Sequence, residues 1–276
     1  MKRGKGVLSC LWMVLAFVIG SGIIPAPVFA DEETDIYGFI ESFTWREFSS
    51  GEQLLRESGP LGGIGFSFIS YDESTLAVKA RGELFGGQVH YVGQACDIFN
   101  NCEPATSNAD YFGIRAEGDV GPRFKVGSFS SIEPFAGAGL RMWIRHIKGG
   151  TTVFGNPVSS VTEDWTSVYF RLGIRGDHDF SKRTRIFAEA GVTLPVYNTD
   201  YSQYYNVTVK PGNKPSLFAE AGMKVDRMKI SAFYEGLRFG KSEPEFVGFD
   251  SMGRAHYVFQ PKTNADIYGI RVGVIF

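Results

Sequence analysis

The last thirteen residues, Asn264 to Phe276, read NADIYGIRVGVIF. Tyr268, Ile270, Val272, Val274 and Phe276 fall on one face at a period of two, with Gly269, Arg271 and Gly273 on the other. Such alternation marks a β-strand with two unlike faces. A soluble strand with one buried face alternates too. In this stretch the apolar face carries no charge along its length, and the chain ends on an aromatic residue without a polar tail. The opposite face carries Arg271. The polar side therefore reads as an interior and the apolar side as an exterior, the arrangement of a barrel strand facing lipid.

On these residues the chain resembles the outer-membrane β-barrel proteins of Gram-negative bacteria. The resemblance implies that Tyr268, Ile270, Val272, Val274 and Phe276 form the insertion signal read by the barrel-assembly machinery. It also implies outer-membrane lipid as the surrounding partner.

The opposite end of the chain agrees. Lys2, Arg3 and Lys5 form a basic start, and residues 7–24 are apolar apart from Ser, Gly and one Cys. Pro25 and Pro27 break any helix there, and Val28 and Ala30 occupy the small-residue positions of a signal-peptidase site. Residues 1–30 read as a Sec signal peptide cut between Ala30 and Asp31. The alternative is an uncleaved anchor, because the apolar run approaches the roughly 20 residues of a spanning helix. Val7-Leu8-Ser9-Cys10 superficially resembles a lipobox, but Cys10 lies at the start of the apolar run, so no hydrophobic segment would precede the cut.

The signal holds three of the 28 basic residues and no acid, so residues 31–276 carry 25 bases against 30 acids. That balance speaks against a nucleic-acid partner. Beyond the signal no apolar run is long enough for a helical span. A membrane location therefore requires strands.

Ten alternating segments can be read, near 35–48, 61–70, 75–88, 111–120, 132–147, 165–176, 185–197, 217–225, 228–239 and 264–276. In the third, Leu76, Val78, Ala80 and Leu84 alternate with Lys79, Arg81 and Glu83. In the sixth, Val168, Phe170, Leu172 and Ile174 alternate with Arg171 and Arg175. Connections after even-numbered segments are short, including a tight one at 72–74 and a medium one after the fourth. Those after odd-numbered segments are long. Segregation of long loops to one end is the habit of an up-and-down barrel with both termini in the periplasm. The expected fold is all-β: one transmembrane antiparallel up-and-down β-barrel over residues 31–276, with ten strands and long extracellular loops. Eight or twelve strands also fit the segment lengths. Phe187-Ala-Glu-Ala-Gly191 recurs as Phe218-Ala-Glu-Ala-Gly222, which reads as two strands meeting the same demand.

Alternation places Lys79, Arg81, Glu83, Arg115, Glu117, Glu133, Arg141, Arg171, Arg175, Glu189, Glu220, Lys224, Glu235 and Arg271 in the lumen, together with Asp119, Arg145 and Lys229. Such charges can line a solute path or fill a narrow barrel as a network. Interiors of about eight strands are just filled by side chains, whereas aqueous channels appear near sixteen, so ten strands favour the network. Cys96 and Cys102 remain once Cys10 leaves with the signal, and they read as a disulfide in an extracellular loop. Tyr37, Trp45, Trp143, Trp165, Tyr197, Tyr234 and Tyr268 read as strand-end or outward residues suited to interfacial girdles. Tyr201, Tyr204 and Tyr205 suit a binding loop.

The four histidines are His90, His146, His178 and His256. Asp177-His178-Asp179 resembles a fragment of the omptin proteases, a ten-stranded barrel class. It falls on a periplasmic turn, however, and lacks paired acidic motifs. No catalytic, cofactor or metal residues are assigned.

The whole chain is similar in architecture to small OmpA-type and porin-like barrels. No peptidoglycan-binding domain is expected after Phe276. The expected function is an integral outer-membrane barrel with a structural or loop-mediated binding role. A narrow passive channel for a small solute is the alternative. A further one is a protease or lipid-modifying enzyme at the extracellular rim. A small solute or an extracellular ligand completes the expected partners.

Overall fold

The computed structural model describes residues 31–71, 76–96, 102–249 and 253–276, with backbone alone for Asp31 and Cys96. The expected cut after Ala30 and the tight connection at 72–74 lie outside the described residues. Ten long strands dominate: β1 Asp31–Ser49, β2 Glu52–Tyr71, β3 Leu76–Cys96, β4 Cys102–Pro122, β5 Ser130–Ile147, β6 Val161–Ser181, β7 Thr184–Ser202, β8 Ser216–Val225, β9 Met228–Gly240 and β10 Lys262–Ile275. Each pairs antiparallel with the next. β10 returns to β1, from Asp35 opposite Ile275 to Phe48 opposite Lys262. The sheet is thus a closed barrel without a free edge.

The pleat explains the two surfaces. Ile36, Ile40, Ile64, Phe66, Phe112, Phe170, Leu217, Ile230 and Ile270 face outward and are exposed. Together with Ala and Gly they form an uncharged belt. The interposed residues point inward and are largely charged or aromatic. Inner glycines make room for the rings: a Cβ on Gly65 would sit 2.6 Å from Tyr37 Cζ, and one on Gly269 would sit 2.5 Å from Phe233 Cζ.

The strands run well past the belt, and this changes two expected loops. Residues 49–60 were expected to be a polar loop. Instead, β1 and β2 continue to a two-residue turn at Ser50 and Gly51, both with positive φ (52° and 91°). That is the geometry whose twist suits a tight hairpin. β3 likewise runs on to Cys96, and β4 begins at Cys102. The longer connections follow β5, β7 and β9. Two of them carry small ribbons, Gly150–Thr151 with Pro157–Val158 and Glu245–Phe249 with Ala255–Val258.

The girdle assignment needs correction. Tyr197 and Tyr268 face outward, at 50% and 58% exposure. Tyr37, Trp45, Trp143 and Trp165 are instead buried inside the barrel. They share the inward parity of Glu41, Glu47, Arg141, Arg145 and Glu163.

Candidate functional site

The bore is built in layers. At the end carrying Asp31 and Phe276, Lys224 on β8 contacts Glu33 on β1 at 2.5 Å. Lys229 on β9 pairs with Asp35 on β1, which also accepts from Ser67 Oγ on β2.

The central layer contains most of the residues that alternation assigned to the lumen. Glu83 on β3 accepts from Tyr37 Oη at 2.7 Å and from Arg271 Nε at 3.1 Å, and it pairs with Arg115. Glu220 on β8 accepts from Arg81 at 2.8 Å, Arg271 at 3.0 Å and Ser231 at 2.8 Å. Glu235 pairs with Arg115 and lies 3.3 Å from Arg141. Glu117 pairs with Arg171 and accepts from Tyr169 at 2.9 Å. Glu189 holds Lys79 at 2.6 Å, while Arg175 pairs with Asp119 and lies 3.0 Å from Glu133. All fourteen expected lumen residues take part in ion pairs, some between register partners on adjacent strands, as in Glu133 with Arg175, and others across the bore, as in Arg81 with Glu220.

Aromatic rings reinforce the layer. The guanidinium of Arg271 lies 3.6 Å from the Phe233 centroid, and that of Arg171 lies 3.8 Å from Phe218. A desolvated cation over a ring face gains further electrostatic attraction.

Above the charges sits an apolar layer. Trp143 and Trp165 stack at 5.3 Å and 10°, and Trp45 meets Trp165 edge-on at 5.1 Å. Phe43, Tyr111, Phe239, Leu61 and Val89 complete it, all buried.

A second charged cluster lies above the indoles. Arg145 on β5 contacts Glu57 at 2.5 Å, Glu163 at 2.8 Å and Glu47 at 3.2 Å. Trp45 and Trp165 donate their indole N–H to Glu47 and Glu163 at 2.9 and 3.0 Å. Of these acids, Glu57 and Glu163 lay inside expected loops. Glu47 lay in the first segment, and its shared parity with Tyr37 and Trp45 was the available signal for it.

The spaces left in the central layer are small. One of about 20 Å³ lies among Arg81, Arg115, Glu117 and Glu220, and another of about 10 Å³ lies among Asp35, Tyr37 and Lys229. Each of these two has room for about one water, and a third of about 50 Å³ among Lys79, Arg175, Glu189 and Lys229 has room for a few. A cleft of about 370 Å³ opens at the loop end between Tyr91, Ser107, Lys148, Thr151, Tyr204 and Tyr205, and one of about 290 Å³ opens at the opposite end beside Glu33, Asp179, Arg185 and Lys224. Tyr204 and Tyr205 meet edge-on at 4.8 Å, and Tyr205 reaches His256 at 6.1 Å. Burial, with Tyr204 beside it, pushes the Tyr205 phenol above its ordinary range. Phe246, Phe249 and Tyr257 cluster, exposed, on the neighbouring ribbon.

His178 and His146 lie elsewhere. His178 Nδ1 is 2.8 Å from Ser130 Oγ, and His146 Nδ1 is 2.8 Å from Thr162 Oγ1. Both contacts join outward-facing residues of β5 and β6, away from the cleft. Cys96 and Cys102 are register partners closing the β3–β4 hairpin.

A closed ten-stranded barrel with a charge-free outer belt and a polar, filled bore has the fold of the outer-membrane β-barrel proteins. Among solved structures, the chain is similar to the outer membrane protease OmpT from Escherichia coli, with a TM-score of 0.60 at 11% identity over 91% of this chain and 99% of that one. It also matches the COG4313 outer membrane channel from Pseudomonas putida F1, at 8% identity over 92% and 100% of the two chains, with a TM-score of 0.41. Ail of Yersinia pestis aligns at 10% identity over 89% and 99%, with a TM-score of 0.33. No family model and no curated protein matches the sequence. These likenesses concern the fold and carry no activity with them.

Proposed function

We propose that the chain is an integral outer-membrane protein of a Gram-negative bacterium whose barrel is a closed support and whose work is done by the extracellular cleft and loops. In this reading residues 1–30 are removed on export, the termini lie in the periplasm, and lipid surrounds the belt. The observation that carries it is the contrast between a bore whose spaces hold no more than a few waters and an open cleft of about 370 Å³ above it. A passive channel would need a continuous wet path, which the indole layer opposes. The paired histidines on the outer wall give no specific support to an enzyme.

Refolded protein in a planar bilayer is the direct test. A folded, heat-modifiable barrel should stay silent, and stable discrete openings would overturn the reading in favour of the channel. In parallel, cells displaying the protein should bind an immobilised extracellular matrix. Phe246→Ser/Phe249→Ser/Tyr257→Ser should abolish that binding without lowering surface levels.

Two expectations belong to the same proposal. The Cys96–Cys102 register supports a disulfide across the hairpin end. A single non-reducing mass measurement on exported protein should give a chain beginning at Asp31 and two hydrogens lighter than the dithiol. A retained leader or two alkylatable thiols would refute the corresponding point. Phe276 follows β10 and is exposed, which supports the insertion-signal reading. Phe276→Asp should sharply reduce the assembled fraction; unchanged surface levels would remove that role.

A further inference from the structure

The outer wall is uncharged through the belt, yet just beyond it one arc turns basic. Arg238 on β9, Asn264 on β10, Arg46 on β1 and Arg56 on β2 are consecutive register partners on four adjacent strands. With neighbouring strands about 4.8 Å apart, three arginines stand within roughly 15 Å in one row. Lys262 follows one rung higher, opposite Phe48. One rung below the row, Asp266 pairs with both Arg46 and Arg238. Tyr234 donates to Asp266 at 3.1 Å and accepts from Arg238 at 3.2 Å. Its ring lies 4.9 Å from that of Tyr268, at the top of the apolar belt.

Four bases thus face one acid. That acid fixes two of the guanidiniums and leaves part of each turned outward, the Arg46 side chain being 36% exposed and that of Arg238 26%. Arg56 is exposed and has no acidic partner among the described residues. Beyond Arg56 the same register row continues into uncharged residues, Val92 on β3 and Thr106 on β4.

We propose that this arc binds the phosphorylated sugar headgroup of an outer-leaflet glycolipid. Planar guanidiniums suit phosphate oxygens through paired hydrogen bonds. Tyr234 and Tyr268 mark the level at which a headgroup meets its acyl chains, and Ile40, Ile230 and Ile270 supply the apolar wall for those chains. The ligand is thus an amphiphile whose anionic part lies directly above its apolar part, and the site repeats that order. The inference rests on the orientation proposed above, with the loop end facing outward.

The test uses refolded full-length barrel in neutral detergent, titrated with lipid A, with lipid A stripped of its phosphates, and with inorganic phosphate. Lipid A should bind. Arg46→Gln/Arg56→Gln/Arg238→Gln should weaken it by roughly tenfold or more, as basic residues each add to attraction at an anionic surface. Arg183→Gln/Arg227→Gln, at the opposite end, should leave it unchanged. Heat-modifiability confirms that each variant is folded. Equal binding of the dephosphorylated lipid, or full affinity in the triple variant, would overturn the proposal. Saturation by inorganic phosphate at the same affinity would overturn the lipid as its source. A silent, folded barrel that ignores lipid A would sink this inference and leave the proposed function standing.

Discussion

Glu83→Ala is expected to destabilise the barrel by about 3–5 kcal/mol, the range for breaking a buried charge pair by removing one partner. Glu83 is 4% exposed and is contacted by Arg115, Arg271 and Tyr37, each 5% exposed or less. Removing its carboxylate leaves two guanidiniums and a phenol short of an acceptor in a space with room for about one water. Arg115 keeps Glu235 and Arg271 keeps Glu220, so the layer should loosen without dispersing. Glu83→Gln, which keeps shape and one acceptor, should cost less. The double variant Glu83→Gln/Arg115→Gln should cost less than its two single changes together, because the contacting pair is coupled. Urea unfolding in lipid vesicles, followed by tryptophan fluorescence, measures all three. A loss below about 1 kcal/mol for Glu83→Ala would mean that water replaces the carboxylate freely. The bore would then be wet, and the argument against a channel would weaken with it.

The ten segments and their inward charges were legible because lipid enforces a single rule: a charge cannot sit on the outer face of the belt. Arg81, Glu83, Arg171 and Arg175 therefore reported their own direction. β1 was harder. Its inward row of Tyr37, Phe39, Phe43 and Trp45 is as apolar as its outward Ile36 and Ile40, so hydropathy alone does not choose between them. A one-residue change of parity exchanges the faces of the whole strand. Glu41 and Glu47, on the aromatic side, carried the signal, and the girdle assignment of Tyr37 and Trp45 passed over it. The upper halves of the strands were hidden for a different reason. Beyond the belt no lipid enforces alternation, so residues 49–60 are polar on both faces and look like loop. With that stretch went Glu57, the innermost partner of Arg145, and Arg56 of the basic arc. The pairing of Arg46, Arg56 and Arg238 depends on register between strands distant in sequence, which no local pattern encodes.

Trp165→Ala should also cost about 3–5 kcal/mol, the usual loss for a fully buried aromatic residue. The side chain is 1% exposed, stacked on Trp143 and edge-on to Trp45, and it donates to Glu163. Its effect on conduction separates two pictures of the bore. If the indole layer alone closes the barrel, removing its central ring should produce openings in a planar bilayer. If the charged layer beneath is itself filled, ions meet a second barrier in series. The paired arginines and carboxylates around Glu83 and Glu220 would have to part before anything passed. The packing favours the second picture, so Trp165→Ala should be less stable yet still silent. Adding Glu83→Ala to it should give the first measurable conductance. Openings in Trp165→Ala alone would show that the layer of charges is permeable as it stands, and the lumenal arginines would then be read as the lining of a gated path.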